Sequence, residues 1–157
     1  MSFRSHMDHA LAEARAAAAR GEVPVGAVLV GPDGAVIAAD GNRTRAGNDP
    51  TAHAEMLVIR AGCAALGVER LTGCDLYVTL EPCAMCAAAI AAARVARVYY
   101  GASDPKSGGV AHGARVFSHS QCHHVPELYD GIGAAESEAL LKTFFAARRG
   151  ADGAAGI

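Results

Sequence analysis

The sequence lacks tryptophan, and aromatic residues make up only 5% of its 157 positions. It also lacks any apolar stretch of about 18 residues without a charge or a glycine, which is what a transmembrane helix needs. The hydrophobic share of 52% is inflated by alanine, so the composition indicates a soluble α/β protein and no membrane partner. A chain of this length suits one domain with a core of its own. We expect a single domain over residues 1–157, with residues 150–157 as a frayed tail.

The sequence also argues against two further classes, disulfide-stabilised proteins and proteins with a signal peptide. Five cysteines is an odd number, which argues against a complete disulfide framework. The N-terminal segment carries Asp8 and Glu13 where a signal peptide would need an apolar core. These two features predict a cytoplasmic protein. A net charge of −2 gives no overall basic surface, so a nucleic-acid partner would have to be held by a local patch.

The hydrophobic pattern alternates between strands and helices after an initial hairpin. Strands are predicted over residues 23–30, 35–40, 74–80 and 95–101. Helices are predicted over residues 8–20, 51–66 (interrupted near Gly62), 83–94 and 135–149, with Pro82 at the first position of the third. Residues 110–125 show no clear pattern. This order predicts a three-layer α/β/α sandwich with a mixed sheet.

Two short motifs carry candidate metal ligands. Cys83 and Cys86 in "EPCAMC" are three residues apart at a predicted helix start, where both sulfurs share one face. A helix N-terminus favours the thiolate form that binds metal. His53 in "TAHAE" begins another predicted helix and supplies a third ligand. Three protein ligands with an open fourth position are typical of a catalytic zinc site.

Glu55 lies two residues after His53, close to the predicted metal but poorly placed to bind it as well. A carboxylate beside zinc can take a proton from water and return it to the substrate. The order His-x-Glu and then Pro-Cys-x-x-Cys is the signature of zinc-dependent nucleobase deaminases. Either motif alone is weak, since Cys-x-x-Cys also occurs in ordinary helix packing; together they favour one shared site. A zinc-stabilised protein without turnover is the competing interpretation, but such a site has no use for Glu55.

Five segments together resemble the bacterial tRNA-specific adenosine deaminases, and they extend over nearly the whole chain. They are "EVPVGAVLV", "DPTAHAEMLVIR", "LYVTLEPCAMCAAAI", "YYGASDPKSGG" and "LLKTFFAARR". The resemblance implies a cytidine-deaminase-like fold with a five-stranded central sheet and one Zn²⁺ per subunit, held by His53, Cys83 and Cys86. It implies that Glu55 shuttles protons while the wobble adenosine of an arginine tRNA becomes inosine and ammonia is released.

The same resemblance implies substrate contacts and an assembly. The residues that match the family's substrate-binding positions are Asn42 at the base, Asp104 and Lys106 at the ribose and phosphates, His124 before the last helix, and Phe144, Phe145, Arg148 and Arg149 beside the anticodon stem. Members of the family are homodimers whose active sites lie near the subunit interface.

One segment departs from the family pattern. Many members have Asn-His-Arg before the last helix, whereas this chain has His123, His124 and Val125. The RNA contacts of that segment are therefore less well supported than the zinc site. A deaminase of a free purine or pyrimidine base or nucleoside, of the guanine, cytosine or cytidine type, stays open as the alternative, because its zinc chemistry is the same.

Overall fold

The computed structural model describes residues 3–155, and the side chains of residues 4–150. Within that range the chain forms a five-stranded sheet and four α-helices. In chain order the elements are α1 (Phe3–Ala19), β1 (Gly26–Val30), β2 (Val36–Gly41), α2 (Ala54–Leu66), β3 (Asp75–Leu80), α3 (Ala84–Ala92), β4 (Arg97–Ala102), a 3₁₀ turn (Val116–Ser118), β5 (Glu127–Tyr129) and α4 (Ala134–Ala155).

The sheet has the strand order β2-β1-β3-β4-β5. Strand β1 is antiparallel to both of its neighbours, whereas β3, β4 and β5 are mutually parallel. The predicted mixed five-stranded sheet is therefore confirmed. Because β2 runs in the same direction as β3 and β4, these three strands end at the same edge of the sheet. The residues that follow them, Asn42, Glu81 and Ser103, are brought to that edge.

Helices cover both faces of the sheet, which confirms the predicted three-layer sandwich. On one face, Met7 of α1 packs with Val28, and α4 lies beside α1. On the other face, Val58 of α2 and Ile90 of α3 pack with Leu29. Val28 and Leu29 are neighbours in β1, and successive strand residues point to opposite faces. One apolar strand thus supplies both halves of the core.

Two glycines allow helices to lie directly on β1. A Cβ atom on Gly26 would overlap the backbone of α1 at Ala10 and Ala14. A Cβ atom on Gly62 would overlap the side chain of Leu29. Gly62 therefore lies inside an unbroken α2, and the predicted interruption of that helix was wrong. Its glycine serves close packing instead.

The starts of α2 and α3 were predicted too early. Helix α2 begins at Ala54, with His53 as its N-cap in extended conformation (φ −72°, ψ 152°). Helix α3 begins at Ala84, with Cys83 as its N-cap (φ −71°, ψ 173°). Pro82 therefore lies before the helix and not at its first position. Two of the three predicted ligands, His53 and Cys83, thus occupy the cap, where the chain turns from extended to helical, whereas Cys86 lies in the first turn of α3.

The ends of the chain differ from the sequence pattern in two ways. Strand β5 has only three residues, all exposed, and its sequence shows no apolar alternation that would predict a strand. Helix α4 runs on to Ala155 and not only to Arg149, and residues 156–157 of the predicted tail lie outside the described residues. None of the described helices is long and apolar enough to span a membrane.

Candidate active site

The N-termini of α2 and α3 bring three metal-binding side chains together. Nδ1 of His53 lies 3.6 Å from Sγ of Cys83 and 3.5 Å from Sγ of Cys86. Among the described residues this is the one group of three or more such side chains with ligand atoms mutually close enough to share an ion. The predicted ligands, 30 residues apart in sequence, thus form one cluster.

The distances fit a zinc ion. Tetrahedral zinc binds sulfur at about 2.3 Å and nitrogen at about 2.0–2.1 Å, which places the nitrogen and a sulfur about 3.5 Å apart. The observed separations of 3.5 and 3.6 Å match that value. One imidazole and two thiolates are also the donors that zinc prefers, and a set of three leaves a position for water or substrate. The cluster is suited to a catalytic zinc ion.

The cysteines share a hydrogen bond that separates their acidities. The pKa of the Cys83 thiol is lowered to about 4, because Cys86 donates a hydrogen bond to it and His53 lies beside it. The same donated hydrogen bond, together with burial, raises the pKa of Cys86. The pKa of His53 is raised by its hydrogen bond with Cys83. Cys83 is therefore the readier thiolate, the form of sulfur that binds metal.

Glu55 lies in the first turn of α2 and is only 4% exposed. Its side chain lies against Cys86, and burial raises the pKa of its carboxyl. Glu55 and His53 both line a cavity of about 220 Å³. A carboxyl group is thus held beside the metal ligands and in contact with the space that a substrate would occupy.

The walls of this cavity come from the sheet edge at which β2, β3 and β4 end. Besides His53 and Glu55, they consist of residues before β1, after β2, at the end of β3 and after β4: Val23, Val25, Asn42, Thr44, Leu80, Glu81, Cys83, Asp104 and Ser107. The metal ligands form one side of the cavity, and connecting segments form the remainder.

Asn42 is held on three sides. Its amide oxygen accepts a hydrogen bond from the N–H of Ala54 (2.8 Å), and its own N–H donates to the carbonyl of Val25 (3.1 Å). Its carbonyl accepts from the Arg20 guanidinium (3.1 Å). Because the amide oxygen is engaged with Ala54, the amide –NH₂ is the group that Asn42 offers to the cavity. The site therefore presents a hydrogen-bond donor at this wall.

The chain that forms this site is similar in sequence to known zinc-binding deaminases. Residues 2–102 match the family described as the cytidine and deoxycytidylate deaminase zinc-binding region. A tRNA-specific adenosine deaminase from Agrobacterium fabrum is 60% identical over 150 residues, which cover 95% of this chain and 98% of that protein. The chain belongs to the tRNA-specific adenosine deaminase family. The fold and the zinc cofactor predicted from the sequence are those of this family.

Solved structures agree with this membership. A structure from work on A-to-I editing by tRNA:A34 deaminases at the wobble position of transfer RNA has a TM-score of 0.86 and 61% identity, and covers 87% of this chain and 99% of that chain. A guanine deaminase from Nitrosomonas europaea has a TM-score of 0.80 with 23% identity, covering 92% and 85% of the two chains. That second likeness concerns the fold alone. The adenosine deaminase family thus shares its architecture with a free-base deaminase.

A second cavity of about 490 Å³ adjoins the first in this deaminase. Asp104 and Ser107 line both cavities. The second cavity is also lined by Lys106 and, from α4, by Phe145 and Arg149. Four of the predicted substrate-binding residues, namely Asp104, Lys106, Phe145 and Arg149, are therefore grouped along one continuous surface that starts at the metal ligands.

Three other predicted substrate residues lie elsewhere. Phe144 faces a groove between α1 and α4, and the Arg148 guanidinium stacks 5.3 Å from the centre of its ring. His124 donates from Nε2 to the carbonyl of Val95 (2.7 Å), which fixes its loop to the start of the β4 region. None of the three is among the residues that line either cavity.

Sequence reasoning assigned nothing to Glu22, which organises the loop after Asn42. Glu22 is 1% exposed and accepts hydrogen bonds from the N–H groups of Arg45 (3.1 Å) and Ala46 (2.8 Å) and from the Thr44 hydroxyl (3.4 Å). Burial alone would raise the pKa of Glu22, but these hydrogen bonds outweigh it and lower the pKa. The one available signal was a glutamate directly before the apolar run that leads into β1.

Glu81 was also missed, although it opens the motif "EPCAMC". It is 2% exposed and forms part of the cavity wall. Burial alone would raise the pKa of its carboxyl, but hydrogen bonds from Asp104 and His112 outweigh burial and lower it. Both missed residues are therefore buried carboxylates that a connecting loop surrounds with donors.

Proposed function

We propose that the chain is a zinc-dependent hydrolase that converts the wobble adenosine of tRNA to inosine and releases ammonia. The observation that carries the proposal is the buried carboxyl of Glu55 beside His53, Cys83 and Cys86, in a cavity that continues into a basic, aromatic surface. Two curated relatives named tRNA-specific adenosine deaminase, which are 60% and 46% identical to this chain, support the same activity.

In this proposal His53, Cys83 and Cys86 hold the zinc ion. When bound, zinc supplies a Lewis acid that makes water a nucleophile near neutral pH. Glu55 takes one proton from the attacking water and passes it to a ring nitrogen of the base. It then takes the second proton from the hydroxyl group that has been added to the ring carbon and gives it to the departing amine. The balance is one water consumed and one ammonia released, with a carbon–nitrogen bond replaced by a carbon–oxygen bond.

Asn42 orients the base. Its amide –NH₂ faces the cavity, because its oxygen is engaged by the N–H of Ala54. A donor at this wall selects for an unprotonated ring nitrogen on the substrate, a group that adenine offers at several positions. Asn42 therefore restricts how the ring can lie relative to Glu55.

The RNA around the base contacts the second cavity. Phe145 is 41% exposed, and exposed aromatic rings stack with unpaired bases. Lys106 and Arg149 line the same cavity, and Lys142 lines a neighbouring one, so cations are available for phosphates. Asp104 lines both cavities and so lies between the proposed site of the base and the proposed site of the RNA backbone. These residues provide the local basic patch that the net charge of −2 does not imply.

For Phe144, Arg148 and His124 we propose contacts with RNA further from the base, since they lie away from both cavities. Phe144 and Arg148 occupy the side of α4 that faces α1. We propose that these three residues contact the arginine tRNA that the sequence resemblance implies as the substrate.

The alternative is a deaminase that acts on a free base or nucleoside. It is compatible with the small first cavity of about 220 Å³, which would hold only the base in either function. The fold shared with a guanine deaminase is compatible with it. The basic surface along α4 is what a free-base enzyme would not need.

One experiment separates these functions. Purified protein is incubated with an anticodon stem-loop of arginine tRNA bearing a wobble adenosine and, in separate reactions, with adenine, guanine, cytosine and cytidine. Inosine and ammonia are followed by mass spectrometry. We expect inosine in the RNA and no turnover of the free compounds. Turnover of a free base with none of the RNA would reject the tRNA function.

A variant of Glu55 tests for catalysis against a purely structural zinc site. We expect Glu55→Ala to keep its zinc and to lose inosine formation by about 10²–10⁴-fold, the usual contribution of a positioned acid–base group. The matched control is Glu69→Ala, whose side chain is exposed. Unchanged activity in Glu55→Ala would point to zinc as a structural element only.

We propose that a second copy of the chain covers α3. This helix, "AMCAAAIAA", carries no charged residue, yet Ala84, Ala88 and Ala92 on its outer side are exposed. Leu66, the last residue of α2, and Val68 beyond it are 48% and 45% exposed. An uncharged helix face in water is typical of an interface. Ala88→Arg should convert a dimer to a monomer in light scattering; a wild-type monomer would reject the proposal.

We also propose that the whole chain works as one deaminase domain in the cytoplasm, where tRNA is available. All five cysteines are free, in agreement with a reducing compartment. Immunolocalisation in the source cell tests this placement.

A further inference from the structure

Glu81 is a buried carboxylate that neither binds the metal nor moves protons in the proposed chemistry. It lies between the end of β3 and Pro82, and its side chain has no exposed surface. A charge buried this deeply persists only when donors surround it. The identity of those donors shows what the residue does.

All of the donors belong to the loop after β4. Oε1 of Glu81 accepts from the N–H of Asp104 (3.1 Å) and from Nδ1 of His112 (2.8 Å). Oε2 accepts from the N–H groups of Val110 (3.2 Å), Ala111 (3.1 Å) and His112 (3.1 Å). Both ends of the loop over residues 104–112 are thus tied to one carboxylate.

The loop is also packed against the start of the helix that carries two of the three proposed zinc ligands. The N–H of Gly109 donates to the carbonyl of Pro82 (2.8 Å). A Cβ atom on Gly109 would overlap the backbone of Cys83 and Ala84, and one on Gly108 would overlap the Glu81 carboxylate. The loop therefore cannot move closer to Glu81 or to the start of α3 without a steric clash.

The same loop forms one wall of the substrate surface. Asp104 and Ser107 line the first cavity, and Lys106 lines the second. The opposite wall carries Asn42, which is held by the start of α2. The bonds that Glu81 makes therefore hold one of these two walls.

We propose that Glu81, with His112 as its side-chain donor, is a positioning residue that fixes the Asp104–Ser107 wall and thereby the fit of the RNA around the target base. The inference rests on the proposed function for its substrate, but the tether itself does not. Glu81 acts through the loop and does not touch the reacting atoms.

The direct test is Glu81→Gln, which replaces one acceptor oxygen by an amide –NH₂ that faces N–H donors. The bond after Lys106, an exposed trypsin site inside the loop, reports on the tether without any substrate. We expect trypsin to cleave there on the order of tenfold faster in the variant, because a buried network has lost its acceptor. Cleavage after Lys142, in α4, should be unchanged.

Steady-state kinetics on the anticodon stem-loop supplies the second readout. We expect KM to rise on the order of tenfold in Glu81→Gln while kcat changes much less, and zinc to remain at one per chain. If Glu81→Gln does not fold, His112→Ala carries the test. It removes one donor of the network and should shift cleavage and KM in the same direction by about threefold.

Three outcomes would overturn the inference: unchanged cleavage after Lys106, unchanged KM, or loss of zinc from a folded variant. The last would mean that Glu81 acts on the metal centre. A wild-type protein that makes no inosine would reject the proposed function alone, since the proteolysis result is independent of it.

Discussion

Replacing Glu22 by glutamine should lower the stability of the folded protein by an amount that its hydrogen bonds determine. Its carboxylate is 1% exposed and accepts two backbone hydrogen bonds, from Arg45 at 3.1 Å and from Ala46 at 2.8 Å. In a Glu22→Gln variant only one of the two oxygens remains. The amide –NH₂ that replaces the other then faces an N–H group. One partly buried backbone donor is left without its acceptor.

The magnitude follows from these contacts. A hydrogen bond to a charged group contributes about 1.5–3 kcal/mol, and a buried donor left unsatisfied costs about 1–3 kcal/mol. Because these two quantities overlap, we expect the free energy of unfolding to fall by roughly 2–4 kcal/mol in Glu22→Gln. For a chain of this length each kcal/mol lowers Tm by about 2–4 °C, so Tm should fall by roughly 4–16 °C.

The effect should depend on pH with a definite sign. Burial alone would raise the pKa of Glu22, but the hydrogen bonds from Ala46 and Arg45 outweigh it, so the pKa in the folded protein lies below its ordinary value of 4.5. The stability contributed by the ionised carboxylate is therefore complete above pH 4.5 and is lost as the pH falls through the folded pKa. The difference in Tm between wild type and variant should be largest near neutral pH and shrink in acid.

The assay is thermal unfolding followed by circular dichroism at a series of pH values from neutral to acid. Wild type, Glu22→Gln and Glu69→Gln are compared, the last because its side chain is exposed. An equal Tm for wild type and Glu22→Gln would refute the reasoning about the network. A difference that stays constant in acid would refute the reasoning about the charge.

Further predictions concern other single positions. Asn42→Asp keeps an acceptor for the helix N–H but loses the –NH₂ donor, so kcat/KM for the RNA should fall at least about 10²-fold with little loss of Tm; full activity would exclude the proposed base contact. Cys86→Ala should release most of the zinc, as measured by mass spectrometry of the metal, and full occupancy would show that another residue is the ligand. Gly26→Ala places a methyl group against the backbone of α1 and should lower the free energy of unfolding, measured with denaturant, by about 3 kcal/mol or more. The control variant Gly150→Ala, on an open helix surface, should raise it by about 0.5–1 kcal/mol. Similar stabilities for the two variants would contradict the close contact between Gly26 and α1.

The zinc cluster was within reach of sequence reasoning because residue type and local spacing carry it. Cys83 and Cys86 are near neighbours, and His53 is recognisable with Glu55 beside it. Their convergence required only that two helix starts lie at one sheet edge. The helix starts themselves were misplaced, since a cap residue has extended backbone and no periodicity distinguishes it from the preceding loop.

The two loop-holding carboxylates were out of reach for a physical reason. Glu22 and Glu81 bind mainly backbone N–H groups, which every residue except proline possesses. No pattern of side chains marks such a partner in advance. Strand β5 was equally hidden, because three exposed residues owe their strand conformation to pairing with β4 and not to their own composition.

The first turn of α2 combines functions that could have been distributed over the molecule. His53 and Glu55 belong to that turn, and Asn42 is bonded to it through Ala54. Any small movement of the turn therefore displaces the proposed metal ligand His53, the proposed proton carrier Glu55 and the proposed base contact Asn42 together. The wall over residues 104–112 is held by other contacts, namely the hydrogen bonds to Glu81 and to the carbonyl of Pro82. We expect substitutions at residues 105–107, between those tied segments, to change the fit of the substrate and to leave the reaction intact.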